Sequence, residues 1–466
     1  MTEAVASQDH WNMQTLTESL EGLVVKVRGN SGAEFGPLVT DSRKVKPGCV
    51  FVAIRGETFD GHDFVEKAVE LGASAVIVER ESGVSCPEFV VKSSTAAYGM
   101  LAKAWRAQFC VPVICVVGAN GKTTTTQMIA SILRTACGAE HVVATEGNFN
   151  NGIGVPMTLL RFNEDTLAAV VEAGMNHPGE MADLANWIRP TVVVVTNAQR
   201  EHQEFINGVE GSARENGLAI VSLSTKGTVV LPLRDGCLPI WQCLATARGC
   251  QTVTYCEGEN QQADVVVTSA QSVITIRTQR NEFASRLALG GKHALHDAAA
   301  AAAATLSIGV KTEAVARGLA DFTPVRGRGV RHVLSSGAVL IDDAYNANPD
   351  SMRAAIDVLS SMPGPRLLVA GDMGETGRHS EAFHTEIGAY AKLKGIDRLY
   401  ASGNAMQSAV QAFGAGARHF QSTEELEMAV VSAVTLPGTV LVKASNFMGY
   451  RKLVDAVLQK MGETSV

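Results

Sequence analysis

The sequence contains no apolar run of about 18 residues, the length that a transmembrane helix requires, so we expect no membrane insertion. Residues 1–11 are polar and acidic and lack the basic start and apolar stretch of a signal peptide. The nine cysteines include no Cys-x-x-Cys pair, which favours reduced core thiols over disulfides or zinc sites. These absences together predict a cytoplasmic chain.

Aromatic residues are scarce, at 5%, and basic residues are not in excess, since the net charge is −7. No strongly basic segment stands out, which argues against a general nucleic-acid-binding protein, although a few arginines and lysines could hold an anionic substrate. Glycine and alanine are plentiful, as is typical of α/β layers with close helix–sheet contact. The run Ala298–Ala304 predicts a helix buried against a sheet.

A chain of 466 residues is too long for one core and predicts about three domains. Short strands and helices in residues 1–107 predict a small mixed α/β domain. Buried strands alternate with helices in residues 108–324, which predicts a central doubly wound parallel sheet with a phosphate loop. The stretch Phe322–Val325 interrupts this pattern. The alternation restarts in residues 325–466 and predicts a C-terminal Rossmann-like doubly wound sheet.

The central domain opens with a strand, a glycine loop and a helix. The predicted strand Val111–Val117 leads into the loop Gly118, Ala119, Asn120, Gly121, Lys122, Thr123 and Thr124. Backbone N–H groups of such a loop, with the N-terminus of the following helix, bind phosphates. Lys122 would contact the outer phosphates, and the Thr123 hydroxyl would be a Mg²⁺ ligand. Val116 replaces the first glycine of the usual phosphate-loop pattern, so a purely structural glycine turn is the alternative.

Two further polar residues follow predicted strands of the same sheet. Glu172 ends the strand Ala168–Glu172, and His202 comes shortly after the strand Thr191–Thr196. Ligands of open α/β sheets bind at the carboxyl ends of the strands. Thr123, Glu172 and His202 therefore predict a Mg²⁺ site that waters and substrate phosphates would complete. The alternative makes Glu172 a helix cap and His202 a surface loop residue.

Taken together, these motifs resemble the Mur ligases, bacterial enzymes that use ATP to form amide bonds in cell-wall precursors. The resemblance extends from Asp41-Ser42-Arg43 to the strand that ends at Lys443. It rests on the phosphate loop, Glu172, Asn197 with His202, Arg328 and residues 342–349. The motifs at 147–151, 154–156, 176–180 and 371–373 are similar to those of the family member that joins D-alanyl-D-alanine to UDP-N-acetylmuramoyl-tripeptide.

The resemblance implies a role for each domain and a set of site residues. The first domain would bind the UDP end of the substrate, the central domain ATP phosphates and Mg²⁺, and the C-terminal domain would close over adenosine and hold the dipeptide. Lys122, His202 and Arg328 would be catalytic, with Arg328 at the γ-phosphate. The remaining implied contacts are Asp343, Tyr345 and Asn346 with ATP, and Ser42, Arg43, Asn148, Asn151 and His177 with the muropeptide substrate. We expect a monomer.

The chain departs from the family pattern at several positions. Relatives carry a lysine, modified to a carbamate, about fourteen residues after the metal-binding histidine, where this chain has Asn216. Asparagine cannot be carbamylated, so one Mg²⁺ is expected to bind more weakly. Relatives carry asparagines in place of Ala294 and Asp297, which leaves the adenine contact open, and an arginine in place of Asn446. Two alternatives remain: a related ligase for another amino acid, and a non-catalytic binding protein of the same fold.

Overall fold

The computed structural model describes residues 11–32, 34–56, 59–224, 226–259, 262–270 and 273–463. Within those residues the strands form three sheets, of five, nine and six strands, and each sheet lies inside one predicted domain range. The predicted α/β class with three domains is therefore confirmed, whereas the boundaries at 107/108 and 324/325 stay predictions. Among the helices described, none is long and apolar enough to cross a membrane.

In its described residues, the N-terminal unit is a small mixed sheet with three α-helices. Its strands are β1 (Val24–Arg28), β2 (Leu38–Val39), β3 (Val50–Val52), β4 (Ala75–Val78) and β5 (Glu88–Val91). Its helices are α1 (Met13–Ser19), α2 (Val65–Glu70) and α3 (Ser94–Arg106). The strand order is β1-β5-β4-β3-β2, and only β1 runs antiparallel to its neighbour. Helix α1 was not predicted; a capping box of Asn12 and Thr15 starts it.

The central unit contains the largest sheet. Its strands are β6 (Val113–Val117), β7 (Val142–Ala144), β8 (Ala168–Glu172), β9 (Val192–Val195), β10 (Thr228–Pro232), β11 (Gln251–Glu257), β12 (Val265–Ala270), β13 (Val273–Thr278) and β14 (Glu282–Arg286). Its helices are α4 (Lys122–Cys137), α5 (Gly154–Leu159), α6 (Glu180–Ile188), α7 (Gly208–Val221), α8 (Leu238–Arg248), α9 (Lys292–Ser307) and α10 (Thr312–Ala320). The alanine run in α9 is fully buried and packs on α4 and on β10 to β12, as predicted.

The strand order of this sheet, β14-β13-β12-β11-β10-β9-β6-β8-β7, explains where the site lies. Strand β6 pairs in parallel with both β8 and β9, so the carboxyl ends of the three strands meet at one edge. All three strands are buried along their whole length, which accounts for their apolar sequences up to Glu172, the last residue of β8. The antiparallel strands β13 and β14 extend the far edge and were not predicted.

The C-terminal unit is a six-stranded sheet covered on both faces. Its strands are β15 (Val330–Val333), β16 (Val339–Asp342), β17 (Arg366–Gly371), β18 (Arg398–Ser402), β19 (Ala417–Phe420) and β20 (Thr439–Lys443). Its helices are α11 (Pro349–Ser360), α12 (Ser380–Leu393), α13 (Met406–Phe413), α14 (Thr423–Ala433) and α15 (Tyr450–Met461). The order is β15-β16-β20-β17-β18-β19, all parallel except β15. Separate hydrophobic cores lie on the two faces, as a doubly wound sheet requires.

Candidate functional site

A cleft of about 1470 Å³ collects most of the predicted site residues. Residues of all three units line it, with Thr95 contributed by the N-terminal unit. Its volume exceeds that of an ordinary small-molecule pocket and suits more than one substrate. The predicted site residues in its lining are Ala119, Asn120, Gly121, Lys122, Thr123, Thr124, Asn148, Asn151, Glu172, His177, His202, Arg328, Asp343, Tyr345 and Asn346.

The phosphate loop lies between β6 and α4, as predicted. Gly118 and Gly121 both have positive φ, of 122° and 82°. A Cβ atom at Gly118 would lie 2.3 Å from Thr196 Oγ1, and one at Gly121 would lie 2.3 Å from Asp297 Oδ1. Both positions thus need glycine for conformation and for space. The first glycine of the usual pattern is not needed here, because Val116 lies within β6.

Lys122 is the first residue of α4, and its side chain folds back over the loop. Its Nζ donates to the carbonyl oxygens of Gly118 at 2.6 Å and Ala119 at 3.0 Å. It also lies 3.5 Å from a carboxylate oxygen of Glu201. The ammonium group is therefore held at the start of the helix, where phosphate oxygens would bind.

The next residue of α4 and the end of β8 offer oxygen atoms to a cation. Within the described residues, Thr123 Oγ1 and Glu172 Oε2 are both buried without a hydrogen-bond partner. Asn150 Nδ2 donates to the other carboxylate oxygen of Glu172 at 2.7 Å and so orients the group. Buried oxygens without partners are costly unless something else binds them. These two fit a Mg²⁺ ion.

Mg²⁺ does not need a complete protein cage, because it usually keeps waters and binds one or two carboxylates together with substrate phosphates. In the described part of the chain, no group of three or more His, Cys, Asp or Glu side chains is arranged to hold a metal on its own. The Thr123 and Glu172 oxygens would supply part of the protein's share of such a site.

His202 lies in the loop after β9 and has a positive φ of 48°. Its Nδ1 forms a hydrogen bond with the carboxylate of Glu375, which belongs to the C-terminal unit. This bond lowers the pKa of Glu375 below its usual value. A carboxylate on one ring nitrogen fixes the orientation of the imidazole and directs the other nitrogen. That other nitrogen, Nε2, lies 4.0 Å from Glu201 Oε2.

Glu201 is a site residue that the sequence reasoning did not assign. It lines the cleft, and its side chain is only 5% exposed. Ser212 Oγ and Asn216 Nδ2 both donate to its Oε1, at 2.7 and 3.0 Å. In the sequence, only its position next to His202 pointed to a role at the site.

Asn216 Oδ1 accepts from the N–H of Gly118 at 2.9 Å, so Asn216 lies beside the phosphate loop.

The predicted ATP-binding residues of the C-terminal unit, Arg328, Asp343, Tyr345 and Asn346, line the cleft. The Arg328 guanidinium stacks on the Tyr345 ring at 4.0 Å, and Arg328 Nε is buried with no partner among the described residues. Asp343 forms an ion pair of 2.7 Å with the buried Lys443, which also donates to the Asn346 carbonyl at 2.9 Å. Lys443 thus holds this segment in place.

The residues around Asp297 form a buried polar group behind the phosphate loop. Burial raises the pKa of Asp297 to about 7, and His296 opposes this effect. His296 Nδ1 lies 2.8 Å from Glu257 Oε2, and its ring contacts Tyr255. Asp297 lines the cleft, whereas Ala294 is fully buried and does not.

The predicted muropeptide residues are divided between two places. Asn148 and His177 line the cleft, where His177 pairs with Glu180 at 3.0 Å and its ring lies against Phe205. Asn151 also lines it, and its Oδ1 accepts from two backbone N–H groups at the start of α5. Ser42 and Arg43 lie outside the cleft lining. The Arg43 side chain is 88% exposed and pairs with Asp41.

Comparison with known proteins matches this chain to one family along nearly its whole length. The model of the Mur ligase family, catalytic domain, matches residues 37–112. The Mur ligase middle domain matches residues 116–305, and the Mur ligase, glutamate ligase domain, matches residues 327–446. The second match contains the phosphate loop, Glu172 and His202, and the third contains Arg328 and Asp343.

Individual relatives agree with the family models. The UDP-N-acetylmuramoyl-tripeptide–D-alanyl-D-alanine ligases of Escherichia coli (strain K12) and Bacillus subtilis (strain 168) are 37% and 35% identical to the chain. Each alignment covers 91% of this chain, and 94% and 93% of those proteins. The crystal structure I of MurF from Acinetobacter baumannii is similar with a TM-score of 0.89 and 29% identity, over 96% of this chain and 99% of that one.

A second solved structure carries a nucleotide. The MurF ligase from Thermotoga maritima in complex with ADP has a TM-score of 0.80 and 25% identity, over 91% of this chain and 97% of that one. With family models across the chain and relatives above 30% identity over most of its length, the sequence resemblance is confirmed: this chain belongs to the Mur ligase family.

Proposed function

We propose that the chain uses ATP to join UDP-N-acetylmuramoyl-tripeptide to D-alanyl-D-alanine through an amide bond in peptidoglycan precursor synthesis, as relatives of that name do. The observation that carries this proposal is the shared cleft: it brings Lys122 and Thr123 of the phosphate loop together with Arg328 and Asp343 of the C-terminal unit. Use of ATP agrees with the family and with the ADP complex of the Thermotoga maritima relative.

The chemistry explains why a nucleotide site is needed. A carboxylate is a poor electrophile, so direct attack by an amine does not form an amide in water. A carboxylate oxygen of the tripeptide attacks the γ-phosphorus of ATP, ADP leaves, and an acyl phosphate results. The dipeptide amine then attacks the acyl carbon through a tetrahedral intermediate, phosphate leaves, and the amine proton passes to a base.

Lys122 and Arg328 are proposed to neutralise the negative charge that accumulates in the first step. Lys122 Nζ already lies over the phosphate loop, and Arg328 Nε has no partner among the residues described. Positive groups that are held in place before the reaction stabilise a phosphoryl-transfer transition state most effectively. Mg²⁺ bound at Thr123, Glu172 and His202 would supply further positive charge to the phosphate oxygens.

The C-terminal unit is proposed to complete the site by closing over the nucleotide. Asn120 and Asn348 exchange amide hydrogen bonds of 3.2 and 2.9 Å between the phosphate loop and the start of α11. Closure excludes water, which would otherwise hydrolyse the acyl phosphate. Asp343, held by Lys443, is proposed to meet the ribose, with Tyr345 and Asn346 beside it.

The long substrate is proposed to span two units. Its UDP end would bind residues 1–107, where Ser42 and Arg43 lie on the surface outside the cleft. Its peptide end would reach the cleft past Asn148, Asn151 and His177. From the family resemblance we also infer three domains, at residues 1–107, 108–324 and 325–466. We further infer a monomeric state and a cytoplasmic location.

A phosphate-release assay tests the function. Purified protein is supplied with Mg²⁺, ATP, the UDP-tripeptide and D-alanyl-D-alanine, with single amino acids as controls. Release that requires both the UDP-tripeptide and the dipeptide is the expected result. Release with a single amino acid would instead identify a related ligase, and binding of the substrates without release would identify a non-catalytic protein.

A further inference from the structure

The carboxylate of Glu201 is built into the phosphate end of the cleft. Its Oε1 accepts from Ser212 Oγ at 2.7 Å and from Asn216 Nδ2 at 3.0 Å. These two bonds leave the other oxygen, Oε2, directed toward the cleft. Oε2 lies 3.5 Å from Lys122 Nζ and 4.0 Å from His202 Nε2. One oxygen is therefore anchored, while the other faces the lysine and the histidine assigned to the reaction.

Both ends of the Asn216 amide are already hydrogen-bonded within the protein. Its Oδ1 accepts from the N–H of Gly118, and its Nδ2 donates to Glu201 and to the Ser212 carbonyl, at 3.0 Å each. Asn216 is 1% exposed, so the whole amide is used within the protein. Asn216 therefore fixes the position of Glu201 relative to the phosphate loop. The carboxylate nearest His202 Nε2 in these contacts is that of Glu201, whereas Glu375 pairs with Nδ1.

We propose that Glu201 is a further Mg²⁺-binding carboxylate of this chain, which acts beside His202 and takes the place of a lysine carbamate at position 216. This inference rests on the ligase function proposed above. A glutamate carboxylate and a lysine carbamate present the same pair of oxygens with one negative charge, which Mg²⁺ prefers. Because Glu201 carries its carboxylate permanently, the metal site of this chain needs no carbon dioxide.

The geometry also favours this role over a simple ion pair with Lys122. The 3.5 Å separation of Lys122 from Glu201 is long for a charge-assisted hydrogen bond. Lys122 Nζ donates its shorter hydrogen bonds to the carbonyls of Gly118 and Ala119. Glu375 holds His202 from the opposite side, so Nε2 is directed to the Glu201 oxygen. The anchored carboxylate and the oriented imidazole form the two sides of one cation position.

The test measures metal binding directly, with Mn²⁺ as the probe and the full-length protein saturated with ADP. Free Mn²⁺ is followed by electron paramagnetic resonance for wild type, Glu201→Gln and Glu210→Gln. Glu210 is an exposed residue of α7 that pairs only with Arg214 in the described contacts, so its variant removes the same charge away from the cleft. We expect the Mn²⁺ dissociation constant to rise about tenfold or more in Glu201→Gln and to stay within about twofold in Glu210→Gln.

Two further measurements separate the roles of Glu201. ADP affinity measured in EDTA reports on the contact of Lys122 with the nucleotide in the absence of metal. An ADP affinity in Glu201→Gln equal to that of wild type supports the proposal. A loss of ADP affinity with unchanged Mn²⁺ affinity would overturn it and assign Glu201 to Lys122. The Mn²⁺ affinity of wild type should not respond to bicarbonate in buffer freed of carbon dioxide. A bicarbonate-dependent rise would also overturn the proposal, and this measurement needs no variant to fold.

Turnover of wild type is measured separately with the UDP-tripeptide and D-alanyl-D-alanine. If wild type binds Mn²⁺ through Glu201 but makes no amide, the ligase function is wrong and the metal site stands. If wild type is an active ligase whose Glu201→Gln variant keeps its Mn²⁺ affinity and its thermal midpoint, the function stands and the role of Glu201 is wrong.

Discussion

Arg200 forms an ion pair with Asp350 across the boundary between the central and C-terminal units. Its Nη2 donates to Oδ1 at 2.6 Å, and its backbone N–H donates to Oδ2 at 2.8 Å. Glu386 of α12 joins the same guanidinium at 2.7 Å, and the two carboxylates raise the pKa of Arg200 further. Asp350 lies in the first turn of α11, two residues after Asn348, which bonds the phosphate loop. This network links the loop after β9 to α11 and α12 and lies next to the contact of Asn348 with Asn120, so under the proposed function it would hold the C-terminal unit closed over the nucleotide.

Asp350→Asn should therefore weaken the contact between the central and C-terminal units more than it destabilises the fold of either unit. It removes a half-buried charge-assisted contact, of the kind that contributes about 1.5–3 kcal/mol. We expect the KM for ATP to rise by about tenfold and the thermal midpoint of unfolding to fall by only a few degrees. Steady-state kinetics with Glu427→Gln as control, a surface partner of Lys460, provides the comparison. Equal KM values in both variants would show that the network does not serve closure.

Lys122→Ala should slow turnover by roughly a hundredfold or more while the fold survives. Lys122 supplies the ammonium nearest the phosphate loop, and loss of a main electrostatic contact costs roughly a hundredfold in rate, about 3 kcal/mol. The matched control is Lys103→Ala on α3, whose ammonium donates to Asn186 away from the loop. Single-turnover rates and circular dichroism are the measurements. Near-normal turnover in Lys122→Ala would remove this loop from the reaction.

Glu172→Gln should raise the Mg²⁺ concentration needed for half-maximal activity. The substitution retains the shape of the side chain but places a neutral amide where a buried carboxylate oxygen has no partner among the described residues. His202→Ala should act in the same direction, because it removes the imidazole that Glu375 orients. Magnesium titrations are compared with those of Glu282→Gln, an exposed change on β14. Titrations that overlay wild type would show that Mg²⁺ binds elsewhere.

Asp297→Asn should change how stability depends on pH. Burial raises the pKa of Asp297 from 3.8 to about 7 in the folded state, so the folded protein retains a proton that the unfolded chain releases. The stability that this proton contributes is complete below pH 4 and is lost as the pH rises through 7. At about 1.4 kcal/mol per pKa unit, a shift of about three units predicts that the variant gains about 4 kcal/mol relative to wild type between pH 4 and pH 8. Urea unfolding at both pH values measures this, and parallel profiles would contradict it.

Local sequence patterns were enough to predict the elements that carry the nucleotide site. The apolar β-branched residues of β6, the glycine loop and the start of α4 are neighbours in the chain, so their structure follows from short-range sterics and hydrogen bonding. Strand β8 has the bounds that the pattern predicted, Ala168–Glu172. The parallel order of buried strands then implied that Thr123, Glu172 and His202 share one edge of the sheet, and all three line the cleft. Their roles as metal ligands stay predictions.

Contacts between distant parts of the chain could not be predicted from local sequence patterns. The antiparallel strands β13 and β14 extend the sheet through pairing partners that local hydrophobic periodicity does not name. The bond of Glu375 to His202 joins residues 173 positions apart, and Asn216 meets Gly118 over 98 positions. Glu201 stood beside His202 in the sequence, yet only packing of α7 against the loop directs its carboxylate into the cleft. Local sterics decide helices, strands and loops, whereas which side chains share a buried site depends on how those elements pack.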